Sequence, residues 1–323
     1  MEETTCAEAF VEALHDLLSE DPRVFMIGGS LLGLGPSRVL MERVREDFPE
    51  RMLFPPTSEA AVAGVGIGAA MAGMRPIVNI ATASFAFQAW GQILNEAANA
   101  HYMTGGQTTV PVIFHMLHGI RGGGAAQHSH SPQAMFWNCP GLKIALPASP
   151  RDAAGLLRTA VKGENPVIFI NHAQLLELKG PAPEKGLEIP FGEAEIKRSG
   201  KDVTVVATSL MVHHALRAAE SLAAEGIDVE VVDPRTLVPL DKKTILASVA
   251  KTGRLVVADE CHLSCGVAAE IAAIVADEGY GALKAPIRRV AALDVPVPFS
   301  PSLEEQIKPS PEKIAETVRG LLV

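Results

Sequence analysis

A single carboxylate, Glu59, stands near the head of "PPTSEAAVAGVGIGAAMAGMRP" (residues 55–76), and the next charge along the chain is Arg75. Ser58 or Thr57 suits an N-cap, which puts Glu59 in a first helical turn. There the helix dipole favours a negative charge by roughly 0.3–1 kcal/mol. That alone accounts for a glutamate at this place. The helix behind it is apolar on every side, however, and such a helix is expected to be buried. Its Gly and Ala residues let another backbone or a ligand approach closely, at a cost in helix propensity. A carboxylate heading a buried helix loses water, which favours its protonated form and lets it share a proton with a ring nitrogen.

Two other stretches carry side chains suited to chemistry. In "IRGGGAAQHSHSPQAMFWNCPG" (residues 120–141) three glycines mark a loop, without the GK[ST] of a phosphate-cradling motif. His128 and His130 are two apart, so an extended backbone would point both to one side; no carboxylate or thiol stands near them, which argues against zinc. A loop histidine is usually a solvated one, yet it is the side chain best suited to proton transfer near neutral pH. "DECHLSCG" (residues 259–266) offers Cys261, His262 and Cys265, but no second ligand pair. Cys261, His262 and Cys265 read as small packing residues, with redox sensitivity as the alternative, and Glu260, which ends a strand, as a helix-start or interface residue. No metal site is predicted.

The elements that must hold these residues alternate. Residues 5–20 have helical periodicity and "RVFMIGG" reads as a buried strand; "SRVLMERVREDF", "AFQAWGQILNEAANAHYM" and "SPRDAAGLLRTAVKG" read as helices, the last capped by Ser149. "RPIVNIAT", "VPVIFHM" and "NPVIFIN" are strands between them. Residues 173–202, rich in Pro, Gly and charge, break the rhythm as a connection that could hold a hairpin. A second series follows with "VTVVATS", "DVEVVDPRT" and "RLVVADE", then an extended Pro-rich run and a closing helix. The prediction is α/β: two doubly wound domains, residues 1–190 and a smaller 191–323, each with a mostly parallel sheet.

Composition narrows the function classes. The 323 residues suit two domains, and 48 % hydrophobic with 20 % charged residues is that of a globular chain. A net charge of −9 argues against nucleic acid as partner. No window is long and apolar enough to span a bilayer, and the acidic amphipathic start resembles neither a secretory signal nor a transit peptide. Four cysteines make no disulfide framework in so long a chain, so a cytoplasmic protein is the default.

Taken in order, "PPTSEAAVAGVGIGAAMAGMRPIV", "SFAFQAWGQILNEAA", "AAQHSHSPQAMF", "CPGLKIALPASPRDAAGLL", "VVDPRTLVPLDKKTILASVAKTGRLVVADE" and "APIRRVAALDVPVPFSPSLEE" resemble the β subunit of thiamine-diphosphate-dependent 2-oxoacid dehydrogenases, within the transketolase-like superfamily. The "DECHLSCGVAAEIAAIVADEG" stretch is most similar to the acetoin dehydrogenase branch. The resemblance implies a pyrimidine-binding-type domain followed by a transketolase-C-like domain. It places Glu59 on the glutamate that hydrogen-bonds the cofactor's pyrimidine ring, Phe85 on the aromatic residue stacked against that ring, and His128 on the loop histidine that donates to substrate and assists acyl transfer to a lipoyl group. His130 stands where the family usually has a non-basic residue and stays outside the catalytic set.

The resemblance also implies partners. No GDG motif with its downstream Asn occurs, so the diphosphate and its Mg²⁺ are expected on a separate α subunit, in an α2β2 assembly served by a lipoyl-bearing E2 component. A 2-oxoacid or an acetoin-like compound is the implied substrate. The chain departs from the family at "GGS" (Gly28 to Ser30) and at Asn79, where acidic residues are usual, and Gly163 replaces a residue that often helps hold a monovalent cation. Two other readings remain: the C-terminal half of a split transketolase, and a non-catalytic structural paralogue.

Overall fold

The computed structural model describes residues 3–29 and 38–322, and divides them into two compact units. The first comprises residues up to His118 together with Met135–Phe191; the second comprises Gly119–Ala134 together with residues from Gly192 onward. Ser30 of the "GGS" stretch and the loop after it, to residue 37, lie outside the described residues.

The first unit begins with β1 (Glu3–Thr5) and α1 (Cys6–Glu20). A capping box starts α1: the Glu8 N–H donates to Thr5 Oγ1 at 3.1 Å, and the Thr5 N–H donates to Glu8 Oε2 at 2.8 Å. Then come β2 (Val24–Ile27), α2 (Arg38–Asp47), β3 (Met52–Leu53), α3 (Glu59–Met71) and β4 (Arg75–Thr82). A 3-10 segment (Ala83–Ala89) and a π-helical turn (Gln92–Ala97) lead to α4 (Ala100–Met103) and β5 (Ile113–His118). The single helix expected over residues 86–103 is therefore segmented, its π turn closed by the Ala98 N–H donating back to Ile93 O at 3.1 Å. After α5 (Ala125–His128) and α6 (Gln133–Trp137) come β6 (Lys143–Ala145), α7 (Pro150–Lys162), β7 (Val167–His172) and β8 (Lys179–Pro181). Ser149 caps α7 as expected, accepting from the Asp152 N–H at 3.1 Å.

Within this unit the parallel strands run β6–β7–β5–β4–β2–β3. From β2 the chain moves outward to β3 on one side and crosses to β4 on the other, so the order reverses at β2. In open α/β sheets ligands bind beyond the carboxyl ends of the strands at such a reversal. Helices α1 and α7 pack together over the sheet, burying Phe10, Leu14, Leu157 and Phe169. In place of a hairpin, β8 returns to pair antiparallel with β1.

The second unit contains β9 (Glu195–Arg198), β10 (Val203–Ala207), α8 (Leu210–Ala223), β11 (Val229–Asp233), β12 (Thr236–Val238), α9 (Lys242–Thr252), β13 (Leu255–His262), α10 (Val267–Glu278), β14 (Arg288–Ala292), α11 (Pro301–Ile307) and α12 (Pro311–Arg319). Its five-stranded sheet runs β14–β13–β10–β11–β9, parallel except for β9. Val205, Val231 and Val256 are wholly buried, as the near-continuous apolar runs of parallel strands require. The four cysteines are all free thiols.

Candidate functional site

Glu59 is the first residue of α3, with Ser58 in extended conformation before it. Ser58 is thus the N-cap by backbone geometry, but its side chain makes no cap hydrogen bond. The all-round burial expected of α3 is not what the structure has. Val62, Ala63, Gly66, Ile67 and Ala70 face inward, whereas Val65 is 53 % and Met71 47 % exposed, and Glu59 is half-buried. An apolar helix predicts that something covers each face, and this chain covers one. The inward face sits so tightly on β4 that a Cβ at Gly66 would fall 2.2 Å from Val78 Cγ2, whereas one at Gly64 or Gly68 would meet nothing within 4 Å.

Phe85 lies half-buried in the 3-10 segment that leaves the carboxyl end of β4, and α3 packs against that segment. Glu59 follows the carboxyl end of β3 and Phe85 that of β4, the two strands flanking β2 at the reversal of order. Sequence separation hides this neighbourhood; strand order creates it.

The end of β4 is shaped by a polar network inside the sheet. Asn79, His115 and Asn171 sit on adjacent parallel strands, all buried. The Ala81 N–H donates to Asn79 Oδ1 at 2.9 Å, across a register shift and with Ala81 at a φ of +66°. The Asn79 amide nitrogen therefore faces His115 Nδ1, at 2.8 Å, and makes that ring nitrogen an acceptor. On the other side of the ring, His115 Nε2 lies 2.9 Å from the Asn171 side-chain amide nitrogen. Phe10 stacks on the same ring, centroids 4.5 Å apart. Asn79, where the family usually places an acid, is thus matched by an uncharged partner. At the end of β2, Gly28 has a φ of +108°, and a Cβ there would fall 2.2 Å from the Asn79 carbonyl oxygen. Only glycine fits.

Burial pushes His115 down to about 3. The unfolded chain takes up a proton at this histidine below its usual 6.5, and the folded chain does not until far lower. The stability His115 contributes is therefore complete above pH 6.5 and is lost as pH falls toward 3. At ~1.4 kcal/mol per pH unit, the first unit loses about 2 kcal/mol by pH 5. Urea midpoints at pH 7.5 and 5.0 check this, and His115→Gln should remove most of the difference.

His128 ends α5, a single helical turn, and is exposed. It belongs to Gly119–Ala134, in the second unit, whereas Glu59 and Phe85 belong to the first. The loop marked by the glycines holds this turn, entered through Gly122 and Gly123 at positive φ, so the condition of an extended backbone is not met at His128. The two histidines part company: His130 is half-buried and lines a cavity of about 660 Å³ with Ile120, Glu260, His262 and Val297. Burial and the nearby His262 lower the pKa of His130. Among the described residues no group of three or more His, Cys, Asp or Glu side chains could hold a metal ion.

Residues of "DECHLSCG" hold this segment, among them Cys261, which the sequence reads as packing. Glu260 Oε1 accepts from the Ile120 N–H at 2.6 Å, Cys261 Sγ donates to Ser131 O at 2.9 Å, and Gln133 Nε2 donates to Asp259 Oδ2 at 3.4 Å. From α11, Glu304 Oε1 accepts from the Gly123 N–H at 2.9 Å. Sequence carried one signal for this: three polar residues in a row at the end of an apolar strand.

The family model of the transketolase pyrimidine-binding domain matches residues 2–179, and that of the transketolase C-terminal domain matches residues 192–314. The chain is 43 % identical to the acetoin:2,6-dichlorophenolindophenol oxidoreductase subunit beta of Cupriavidus necator, covering 96 % of this chain and 95 % of that protein. It is 41 % identical to the pyruvate dehydrogenase E1 component subunit beta of Rickettsia felis, over 98 % and 97 % of the two chains. Among solved structures, a split-gene transketolase described as an inactive β4 tetramer superposes with a TM-score of 0.81 at 25 % identity, covering 98 % of each chain.

Proposed function

The chain belongs to the transketolase-like family of thiamine-diphosphate-dependent enzymes, spanning its pyrimidine-binding and C-terminal domains, and on that premise we propose that it is the β subunit of an E1-type 2-oxoacid or acetoin dehydrogenase. The observation that carries this is likeness along the whole chain to named β subunits, with Glu59 at the head of a helix beside the Phe85 segment.

The residues present fit the pyrimidine end of thiamine diphosphate: a half-buried carboxylate to hold a ring nitrogen's proton, and an aromatic face on a neighbouring element. When bound, that cofactor supplies an electron sink for cleaving the carbon–carbon bond next to a carbonyl. Glu59 keeps the proton at the pyrimidine nitrogen, and Phe85 offers its ring face to the same heterocycle. His128 donates a proton to substrate oxygen and to the lipoyl acceptor of an E2 component. The diphosphate and its Mg²⁺ are assigned to an α subunit in an α2β2 assembly, which works in the cytoplasm. The uncovered apolar face of α3 supports a partner, since burying it would also withdraw Glu59 from water.

Calorimetric titration of thiamine diphosphate with Mg²⁺, into the chain alone and into the chain co-expressed with its α subunit, tests this. Binding is expected to the pair only. Binding to neither, with the pair still assembled, would make the chain a structural paralogue. Tight binding to the lone chain would overturn the assignment of the diphosphate to α. The likeness to a split-gene transketolase favours one second reading, transfer of two-carbon units from ketose phosphates. Turnover of ketose phosphates and of no 2-oxoacid or acetoin would establish it instead.

A further inference from the structure

The segment Gly119–Ala134 is an arch held at both feet. At the first foot two buried carboxylates, Glu260 and Glu304, each accept a main-chain N–H, from Ile120 at 2.6 Å and Gly123 at 2.9 Å. At the second foot Cys261 donates to the carbonyl of Ser131 and Asp259 accepts from Gln133. Asp259 is itself fully buried, where burial raises its pKa, and it also accepts from the Thr208 hydroxyl and, at 2.7 Å, from the Cys261 N–H. Between the feet, Ala126, Ser129 and His130 line the cavity shared with His262, Asp294 and Val297, and His128 is exposed. The contacts at its two ends help to set where this span runs.

We infer that Glu260 and Glu304, with Asp259 and Cys261 behind the far foot, are positioning residues that present His128 through the main chain of the arch. Two features support this over simple core filling. The contacts made at Ile120, Gly123 and Ser131 go to backbone atoms, so they fix where the chain runs whatever side chains it carries. Consecutive residues at the end of β13 serve both feet: Glu260 holds one, and Asp259 and Cys261 hold the other. Carboxylate acceptors suit this task because charge-assisted bonds to N–H groups are stronger than neutral ones. The catalytic consequence rests on the proposed role of His128; the mechanical one does not.

Two measurements test the inference. Amide hydrogen exchange on the full chain reads the feet directly. Glu260→Leu should speed exchange at Ile120, and Glu304→Leu at Gly123, each by roughly 5- to 150-fold. Glu260→Gln and Glu304→Gln, which retain an acceptor oxygen but lose its charge, should fall between the parent and the leucine variants. Unchanged exchange in both leucine variants would overturn the clamp. The second measurement is a double-mutant cycle in the assembled α/β pair. Glu260→Leu should lower kcat by ~10- to 100-fold in the parent and by no more than about two-fold in a His128→Ala background. Equal losses in both backgrounds would show that Glu260 does not act through His128. A pair inactive on every 2-oxoacid and acetoin donor would instead defeat the proposed function, with the exchange result still deciding the clamp.

Discussion

Glu59→Gln should lower turnover by the assembled α/β pair by about 10²–10⁴-fold, the range over which a positioned proton-transfer group acts. The substitution is nearly isosteric, so the half-buried side chain at the start of α3 keeps its shape and its acceptor oxygen. It loses the negative charge and the ability to hold a proton. The stability cost is confined to the helix-dipole contribution, roughly 0.3–1 kcal/mol. A large fall in kcat with a nearly unchanged urea midpoint would therefore isolate chemistry from folding. Near-normal turnover would remove Glu59 from the mechanism and leave it as a helix-start residue.

The largest stability effect is expected from Phe10→Ala, at about 3–5 kcal/mol. Phe10 is wholly buried, stacked on His115 and tilted against Phe169 with centroids 5.7 Å apart, where α1 meets the sheet. Its removal leaves a cavity bounded by secondary structure that cannot collapse freely. It also uncovers the one face of the His115 ring that an aromatic neighbour shields most closely. The loss of stability on acidification should then shrink, because a better solvated histidine has a folded pKa nearer its ordinary value. Urea titration of the transition that reports the first unit, at pH 7.5 and 5.0, measures both effects. A loss below about 1 kcal/mol would mean that the α1–sheet contact tolerates the void.

Strands and helices with strong periodicity were legible from sequence, because burial on a regular surface imposes a regular pattern. "RPIVNIAT" coincides with β4, and Ser149 caps α7 where its spacing to Asp152 requires. Helix α3 shows where that logic stops. Its apolar pattern predicts burial, but pattern records only that a face is to be covered, and not by which molecule. Glu59, Phe85 and His128 were named through family resemblance, and the physics of their spacing alone left each a bland explanation. The Asn79–His115–Asn171 network and the grip of Asp259, Glu260 and Glu304 on the arch were not legible. They join residues 36 to 181 positions apart through strand order and hydrogen bonds that no local pattern encodes. That Gly119–Ala134 groups with the second unit is equally silent in its composition.

The outward glycines of α3 have a consequence for the life of the unassembled subunit. Alanine at Gly64 and Gly68 would meet no atom of this chain, and each glycine forgoes about 0.8–1.0 kcal/mol of helix propensity. The lone protein is therefore less stable than its own fold permits, by an amount comparable to a sizeable fraction of an ordinary domain's margin. A selection for thermostability applied to the isolated chain would find those two positions early, and in doing so would trade away the smooth surface along which another backbone can lie. Stabilised variants of this protein are better sought with its partner present.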